Sequence, residues 1–265
     1  MRFKLTLRVA RSSGRLLPLN YQYEQSAVIY RVLANANRAF SAWLHNNGFE
    51  DESGKRFRLF TYSRFYVPQY LIKGRFMEVL SEYVEWYISF LPENSTAEFI
   101  QGLFHDQSLE VGNREAVMRF EVQQVSLVPP PDYTGTMAFE TLSPICLANR
   151  DDARRITYVA PDHSSAPSLI QMNLISKYHA FTREIYPQED VAIAVRLLSK
   201  AKPVLITIKT GTPQESKVRG FLCRLALTAP PDLMKIAYEC GLGVKNSIGF
   251  GMVKAVEYPI NNVGG

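Results

Sequence analysis

A proline-rich segment near the middle of the chain, PPPDYTG at 129–135, constrains the fold more than any other feature. Three consecutive prolines cannot continue a helix or the interior of a sheet, because proline lacks the backbone N–H that both structures use. The residues on its two sides are therefore expected to form separate domains, at 1–128 and 136–258. The chain has 265 residues, which is long enough for two domains of ordinary size.

The first half alternates between strand and helix patterns. Period-two alternation predicts a strand over 2–9, and helical spacing predicts a helix over 20–37. Within that helix the apolar stripe is interpreted as Tyr23, Ala27, Tyr30 and Ala34. The later elements of this half are predicted as strands at 56–65, 85–91 and 116–128 and a helix at 94–104. Their order is β-α-β-β-α-β.

The second half repeats this order. Its elements are predicted as a strand at 137–148, a helix at 166–186, a hairpin of strands at 202–210 and 219–229, a helix at 230–241 and a strand at 250–258. No residue-level repeat relates the halves, so the duplication rests on element order alone. The order predicts an α+β protein with two tandem ferredoxin-like domains (βαββαβ, RRM-like) and helices on one face of each sheet. RNA-recognition modules bind single-stranded RNA on the open face of such a sheet.

Composition excludes several classes of protein. The net charge is +5 and the pI about 9.0, a mild excess that permits an anionic partner such as nucleic acid without requiring one. The three cysteines form no CxxC pair and the four histidines no HxxxH pair, so no metal or cofactor site is predicted. No signal-peptide block occurs, and no run approaches the roughly 20 apolar residues that span a bilayer. These features predict a reduced, soluble, cytoplasmic protein.

A glycine-rich stretch, GLGVKNSIGFG at 241–251, lies close to the end of the sequence. It follows a predicted helix and precedes a predicted strand. A nucleotide-phosphate loop has the opposite arrangement, since it follows a strand and opens a helix. The spacings GxxxxGK[ST] and GxGxxG are also missing, so a nucleotide-phosphate loop is not expected.

Two interpretations of this stretch stay open. Gly241 can end a helix and Gly249 can form a tight entry to the last strand. Alternatively, the stretch offers a backbone surface against which a phosphodiester strand can lie. In that case Lys245 adds a cation, and Asn246 and Ser247 add hydrogen bonds.

Four stretches resemble, in the same order, a family of CRISPR-associated endoribonucleases in the RAMP superfamily that process precursor CRISPR RNA. They are LPLNYQYEQSAVIYRVL (17–33), LH followed by GKRFRLFTYS (44–63), FETLSPICL (139–147) and GLGVKNSIGFGMVKA (241–255). With the first strand, the resemblance runs over nearly the full chain. It implies two ferredoxin-like folds side by side and metal-independent cleavage of CRISPR repeat RNA. In that reaction the 2′-hydroxyl attacks the phosphorus, leaving a 2′,3′-cyclic phosphate and a 5′-hydroxyl.

The resemblance also implies which residues are catalytic. The reaction needs a base, an acid and a cation for the charge on the phosphate. His45, expected just after the first helix, stands at the position of the family's catalytic histidine, and Tyr30 matches a tyrosine that assists in several members. The family often has a lysine just before LFTYS, where this chain has Arg58 with Lys55 nearby. An arginine there would act only electrostatically. On the residues alone, His45 could be an ordinary loop residue and Tyr30 a core residue.

The expected RNA-binding surface lies mainly in the second half of the chain. Lys177 is included as part of a general basic surface. The specific RNA-binding candidates are Gly241, Gly243, Lys245, Asn246, Ser247, Gly249, Gly251, Lys209, Lys217 and Arg219. An effector complex and a homodimer stay open as assemblies. Two other functions also stay open: a non-cutting RNA-binding subunit of a CRISPR ribonucleoprotein, and a small-molecule-binding regulatory module on ferredoxin-like domains.

Overall fold

The fold is that of a computed structural model, which describes residues 1–150, 155–187 and 191–257. The helices are α1 (Gln22–Ala36), α2 (Arg38–Asn46), α3 (Glu93–His105), α4 (Ala166–Thr182) and α5 (Pro231–Cys240). The strands of the first half are β1 (Arg2–Val9), β2 (Leu16–Pro18), β3 (Phe49–Glu50), β4 (Arg56–Phe57), β5 (Phe60–Tyr62), β6 (Tyr70–Lys73), β7 (Phe76–Val79), β8 (Tyr83–Phe90), β9 (Ser108–Gly112) and β10 (Val117–Val128). Those of the second half are β11 (Thr136–Thr141), β12 (Leu147–Arg150), β13 (Ile156–Val159), β14 (Ala194–Leu197), β15 (Lys202–Ile208), β16 (Ser216–Leu222), β17 (Arg224–Thr228) and β18 (Val253–Val256).

The first half folds around an antiparallel sheet in the order β5-β8-β1-β10-β9. If β5, β8 and β10 are counted as the second, third and fourth strands after β1, the order is 2-3-1-4, with β9 added at one edge. The alternation of β1 works as predicted, because Leu5 and Leu7 are buried in a core that also contains Val28 and Phe99 of α1 and α3. The two helices therefore pack on one face of the sheet.

The second half repeats this arrangement. Its main sheet has the order β14-β17-β11-β18, which is again 2-3-1-4, and the core beneath it contains residues of α4 and α5. The prediction of an α+β fold with two tandem ferredoxin-like units is therefore confirmed. Arg2 joins the halves, since its buried guanidinium donates to the carbonyl oxygens of Val253 (2.7 Å) and Tyr238 (2.5 Å).

Three strands predicted as continuous are divided in the structure. The run 56–65 breaks between β4 and β5 at Leu59, whose φ is 52°. The run 137–148 divides into β11 and β12. The run 219–229 belongs to two sheets, because its first part pairs with β15 as β16 and its second part is β17 of the main sheet. An apolar run does not reveal where a chain crosses from one sheet to another.

Several elements were not predicted. They include α2, β3, β9, β13, the small sheet β2-β7-β6, and β14, which supplies the second strand of the second main sheet. Tyr258, the predicted end of the last strand and of the second domain, lies outside the described residues. Within the described ranges, no helix is both long and apolar enough to cross a membrane.

Candidate active site

The two helices α1 and α2 are joined at a single residue, Asn37. Its backbone N–H donates to Leu33 O (2.8 Å), which ends α1, and its side chain accepts from Phe40 N (3.0 Å), which begins α2. Ser41 Oγ then donates to Tyr30 O (2.8 Å) and ties the helices together. His45 follows the first helix as predicted, but it lies in the last turn of a second helix, α2, which was not predicted. The capping residue Asn37 was the sequence signal for this helix.

Tyr30 and His45 are brought into contact by this helix pair. Their ring centroids lie 4.9 Å apart with an interplanar angle of 81°. His45 is exposed, whereas Tyr30 is half-buried. His45 Nδ1 lies 3.0 Å from Asn46 Oδ1. With the amide in this orientation, the neutral ring carries its proton on Nδ1, and Nε2 holds the lone pair that can accept a proton.

Arg58 places a cation beside these two side chains. One of its guanidinium nitrogens donates to the carbonyl oxygen of His45. Burial raises the pKa of Tyr30 to about 12, and the Arg58 guanidinium opposes this rise. Tyr30 therefore keeps its proton at neutral pH, so it can donate a hydrogen bond but cannot act as a base.

An open cavity of about 460 Å³ lies in front of these side chains, and we call it the His45 cavity. Its lining residues are Tyr23, Ser26, Ala27, Tyr30, His45, Arg58, Ser247 and Ile248. The apolar stripe that the sequence shows on α1 therefore faces this cavity at Tyr23, Ala27 and Tyr30. The core side of α1 instead contains Val28, Ile29, Val32 and Leu33.

The glycine-rich stretch closes one side of the His45 cavity. Ser26 Oγ of α1 donates to Ser247 O at 2.7 Å. Gly249 has φ of 93°, and a Cβ there would lie 2.6 Å from the Cβ of Gln22. A residue with a side chain would push the stretch away from α1, so this glycine permits the contact.

The other glycines of the stretch are buried and are required by contacts within the chain. Gly241 ends α5, which confirms the predicted helix C-cap. A Cβ on Gly243 would lie 2.3 Å from Cys146 O, and one on Gly251 would lie 2.1 Å from Leu242 O. Asn246 Nδ2 donates to Leu242 O (3.2 Å) and to Phe250 O (3.1 Å), so this amide holds the stretch in shape. The parts of the stretch that line cavities include Lys245, Asn246 and Ser247.

A second, smaller cavity of about 180 Å³ shares Arg58 and Ser247 with the His45 cavity, and we call it the Lys177 cavity. Lys55 lines this cavity and does not line the first one. Its ammonium nitrogen lies 5.0 Å from the centroid of the Phe57 ring. The structure thus brings Tyr30, Arg58 and His45 together around the His45 cavity and places Lys55 in the Lys177 cavity.

Lys177 is buried at the base of the second cavity, so the prediction that it belongs to an exposed basic surface is wrong. Its Nζ donates to Gly241 O (2.6 Å) and Gly243 O (3.1 Å). Burial lowers its pKa to about 8, partly opposed by Cys240. The lysine therefore fixes two carbonyl groups of the glycine-rich stretch from beneath.

Comparison with known proteins identifies the family. The model for "CRISPR-associated protein Cas6, N-terminal" matches residues 16–126, and that for "CRISPR associated protein Cas6, C-terminal" matches residues 128–255. A curated relative from Methanocaldococcus jannaschii, "CRISPR-associated endoribonuclease Cas6 1", is 31% identical and covers 97% of this chain and 93% of its own length. The chain belongs to the Cas6 family.

Solved structures support this assignment. A structure described as "CRISPR associated protein Cas6" is 29% identical, with a TM-score of 0.74 over 97% of this chain and 99% of the other. A structure of a Cas6-related protein from Pyrococcus furiosus has a TM-score of 0.80 and 21% identity, over 97% of this chain and 98% of the other. The second likeness shows a shared fold.

The three basic hairpin candidates of this Cas6 chain differ in their surroundings. Lys217 and Arg219 are exposed on the same side of β16, on either side of the buried Val218. Lys209 follows β15 and lines a further cavity of about 400 Å³, which shares Tyr23 and Ala27 with the His45 cavity. Lys209 is therefore the hairpin cation that is connected to the candidate active site.

A metal centre is not evident in the described parts of this Cas6 chain, where no group of three or more His, Cys, Asp or Glu side chains could hold an ion. The buried thiols of Cys146, Cys223 and Cys240 have raised pKa values because of their burial. They are poor candidates for nucleophiles, since reactivity requires the thiolate.

The lowered pKa of Lys177 predicts a pH-dependent contribution to stability. An unfolded lysine keeps its proton up to about pH 10.5, whereas Lys177 loses it near pH 8 in the folded chain. Between these values the unfolded state binds more protons, so stability rises with pH. Relative to Lys177→Met, the wild-type free energy of unfolding should increase by about 1.5 kcal/mol between about pH 8 and 9.5.

Urea unfolding at a series of pH values tests this prediction. The comparison with Lys177→Met cancels the titration of the three buried cysteines, which acts in the opposite direction. Lys200→Met, at an exposed lysine, is the matched control and should follow the wild-type curve. A constant difference between wild type and Lys177→Met would contradict the proposed titration.

Proposed function

We propose that this chain is an endoribonuclease that cleaves CRISPR repeat RNA in precursor transcripts to give mature crRNA. The main observation behind the proposal is that Tyr30, His45 and Arg58 lie around one open cavity. Ser247 of the glycine-rich stretch bounds this cavity on one side. The names of the curated Cas6 relatives, which include "CRISPR-associated endoribonuclease", support the same reaction class.

His45 is the principal acid–base group of the proposed reaction. Its Nε2 accepts the proton of the 2′-hydroxyl upstream of the scissile bond while the 2′-oxygen attacks phosphorus. The P–O5′ bond breaks, and the 5′-oxygen takes a proton from the His45 imidazolium formed in the attack, so that it leaves as a hydroxyl and His45 returns to its neutral form. The product ends are a 2′,3′-cyclic phosphate and a 5′-hydroxyl, and the step requires no metal.

Tyr30 and Arg58 assist this reaction. Tyr30 keeps its proton and therefore helps as a hydrogen-bond donor at the reacting phosphate. Arg58 is favoured over Lys55 as the cation that stabilises the transition state, because Arg58 lines the same cavity as His45. A guanidinium has five N–H donors, so the bond to His45 O leaves others for phosphate oxygens.

The remaining candidates position the RNA. Lys245, Ser247 and Lys209 line cavities at or next to the active site, and in this proposal they contact the RNA backbone directly. Lys217 and Arg219 extend this RNA-binding surface along the hairpin. Asn246 and the glycines at 241, 243, 249 and 251 act by shaping the stretch that presents those side chains. The domain division at 1–128 and 136–258, the cytoplasmic location, the effector complex and the homodimer stay predictions.

Cleavage of repeat RNA in EDTA tests the reaction. We expect a single cut in labelled repeat RNA from the source's own CRISPR array, and a 5′-hydroxyl on the downstream product. A matched RNA with a 2′-deoxy nucleotide before the cut should bind equally well and stay intact, because it lacks the attacking group. Tight binding of both RNAs without any cut would instead select the non-cutting subunit.

A further inference from the structure

The Lys177 cavity is lined by positive charges, as a binding site for an anion would be. The cations among its lining residues are Lys55, Arg56, Arg58, Lys177 and Lys245. None of the lining residues in the described part of the chain is an aspartate or a glutamate. The compensating carboxylates lie outside the lining, where Arg56 pairs with Glu50 at 3.0 Å and Asp51 interacts electrostatically with Lys55. Cations gathered around one cavity repel each other, so an anion inside it would be stabilised by all of them.

The side-chain amide of Asn173, which lines this cavity, lacks hydrogen-bond partners. Asn173 is only 4% exposed, and neither its Nδ2 nor its Oδ1 has a hydrogen-bond partner among the described residues. A buried polar group without a partner costs about 1–3 kcal/mol, so such groups are uncommon unless something fills the site. The Lys177 ammonium has three protons, and its two hydrogen bonds to carbonyl oxygens leave one proton available.

The size of the cavity limits what it can hold. Its volume of about 180 Å³ is below the range of about 300–1,000 Å³ that is typical of sites for drug-sized ligands. It corresponds to about six water molecules at liquid density. A tetrahedral oxyanion with a few waters fits this volume, whereas a complete nucleotide does not.

We propose that the Lys177 cavity is a phosphoryl-binding site, in which Asn173 Nδ2, Lys177 and Lys245 donate to the oxygens of one phosphate group. This phosphate is a different one from the reacting phosphate at His45, because Arg58 and Ser247 stand between the two cavities. The group comes either from the RNA backbone, next to the scissile phosphate, or from a free oxyanion. The RNA source rests on the proposed function, and the free oxyanion does not.

Thermal unfolding with inorganic phosphate at neutral pH tests the site directly. Phosphate should raise the Tm of the wild-type chain more than potassium chloride at equal ionic strength, because binding to the folded state stabilises it. Asn173→Leu should start with an equal or higher Tm, since it removes two buried atoms that lack partners. It should bind phosphate about tenfold to 100-fold more weakly, through the loss of one hydrogen bond to a charged group.

Two further variants make the comparison specific. Lys177→Met should weaken phosphate binding at least as much as Asn173→Leu does. Lys200→Met removes an exposed positive charge outside the cavity and should leave phosphate binding unchanged. No phosphate-specific rise in the wild type, or an equal rise in Asn173→Leu, would overturn the proposal.

The same measurement on an RNA complex separates the two sources. Repeat RNA with a 2′-deoxy nucleotide at the cut is added to saturation, and inorganic phosphate is titrated again. Loss of the phosphate effect identifies the occupant as an RNA backbone phosphate, and persistence identifies a free oxyanion. A chain that binds phosphate in this way but leaves normal repeat RNA uncut would refute the proposed endoribonuclease and leave the site standing.

Discussion

His45→Ala is expected to lower the single-turnover rate of RNA cleavage by about 100-fold or more, because general acid–base catalysis contributes about 10²–10⁴-fold. The affinity for repeat RNA should stay nearly unchanged. His45 is exposed, and its side chain makes an edge contact with Tyr30 and pairs with Asn46. The bond from Arg58 goes to its backbone carbonyl, which alanine keeps.

His105→Ala is the matched control for this variant. His105 is also an exposed histidine in the last turn of a helix, α3, and it lines none of the cavities described above. Its replacement should leave both the rate and the affinity at wild-type values. If His45→Ala cut as fast as His105→Ala, His45 would be an ordinary surface residue and the proposed mechanism would be wrong.

Most of the fold could be predicted from the alternation of strand and helix patterns along the sequence. The strand over 2–9 and the helix at 230–241 were predicted close to their bounds, because each has one clear apolar face that packs on a sheet. The short strands were harder to predict. β14 has only four residues, and its pairing with β17 depends on a chain crossing that no local pattern records.

The face of α1 shows why a sequence can supply candidate residues without showing that they lie together. Tyr23, Ala27 and Tyr30 have the spacing of a core stripe, but the core takes the adjacent face with Val28 and Ile29. Aromatic residues on a helix satisfy the apolar pattern whether they face a core or a cavity. The resemblance identified Tyr30, and only the structure places it beside His45.

The glycine-rich stretch shows the same ambiguity in the backbone. Glycine clusters are compatible with a ligand approaching the main chain and with the chain approaching itself. The sequence could not separate these readings, because the partners of the glycines are Cys146, Leu242 and Gln22, which are distant or not distinctive along the chain. The buried Lys177 beneath the stretch gave no signal either, since most lysines are solvated.

Gly251→Ala is expected to lower the free energy of unfolding by about 2–5 kcal/mol, the sum of a strained backbone and an overpacked contact. Gly251 has φ of 80°, and the new Cβ would lie 2.1 Å from Leu242 O and 2.5 Å from Asn246 Nδ2. The clash displaces the amide that holds the stretch, so Lys245 and Ser247 should lose their positions as well. Urea unfolding should give a lower midpoint, and RNA cleavage should fall even in the fraction of protein that stays folded.

Gly74→Ala separates the cost of the backbone angle from that of the contact. Gly74 also has a positive φ, 59°, but a Cβ there would meet nothing within 4 Å. Its replacement should cost only about 1–2 kcal/mol, the strain of the left-handed conformation, and leave cleavage unchanged. Equal losses in the two variants would mean that the contacts within the stretch contribute nothing to stability. In that case the glycines at 241–251 would be better explained as a surface for RNA than as a framework for Lys245 and Ser247.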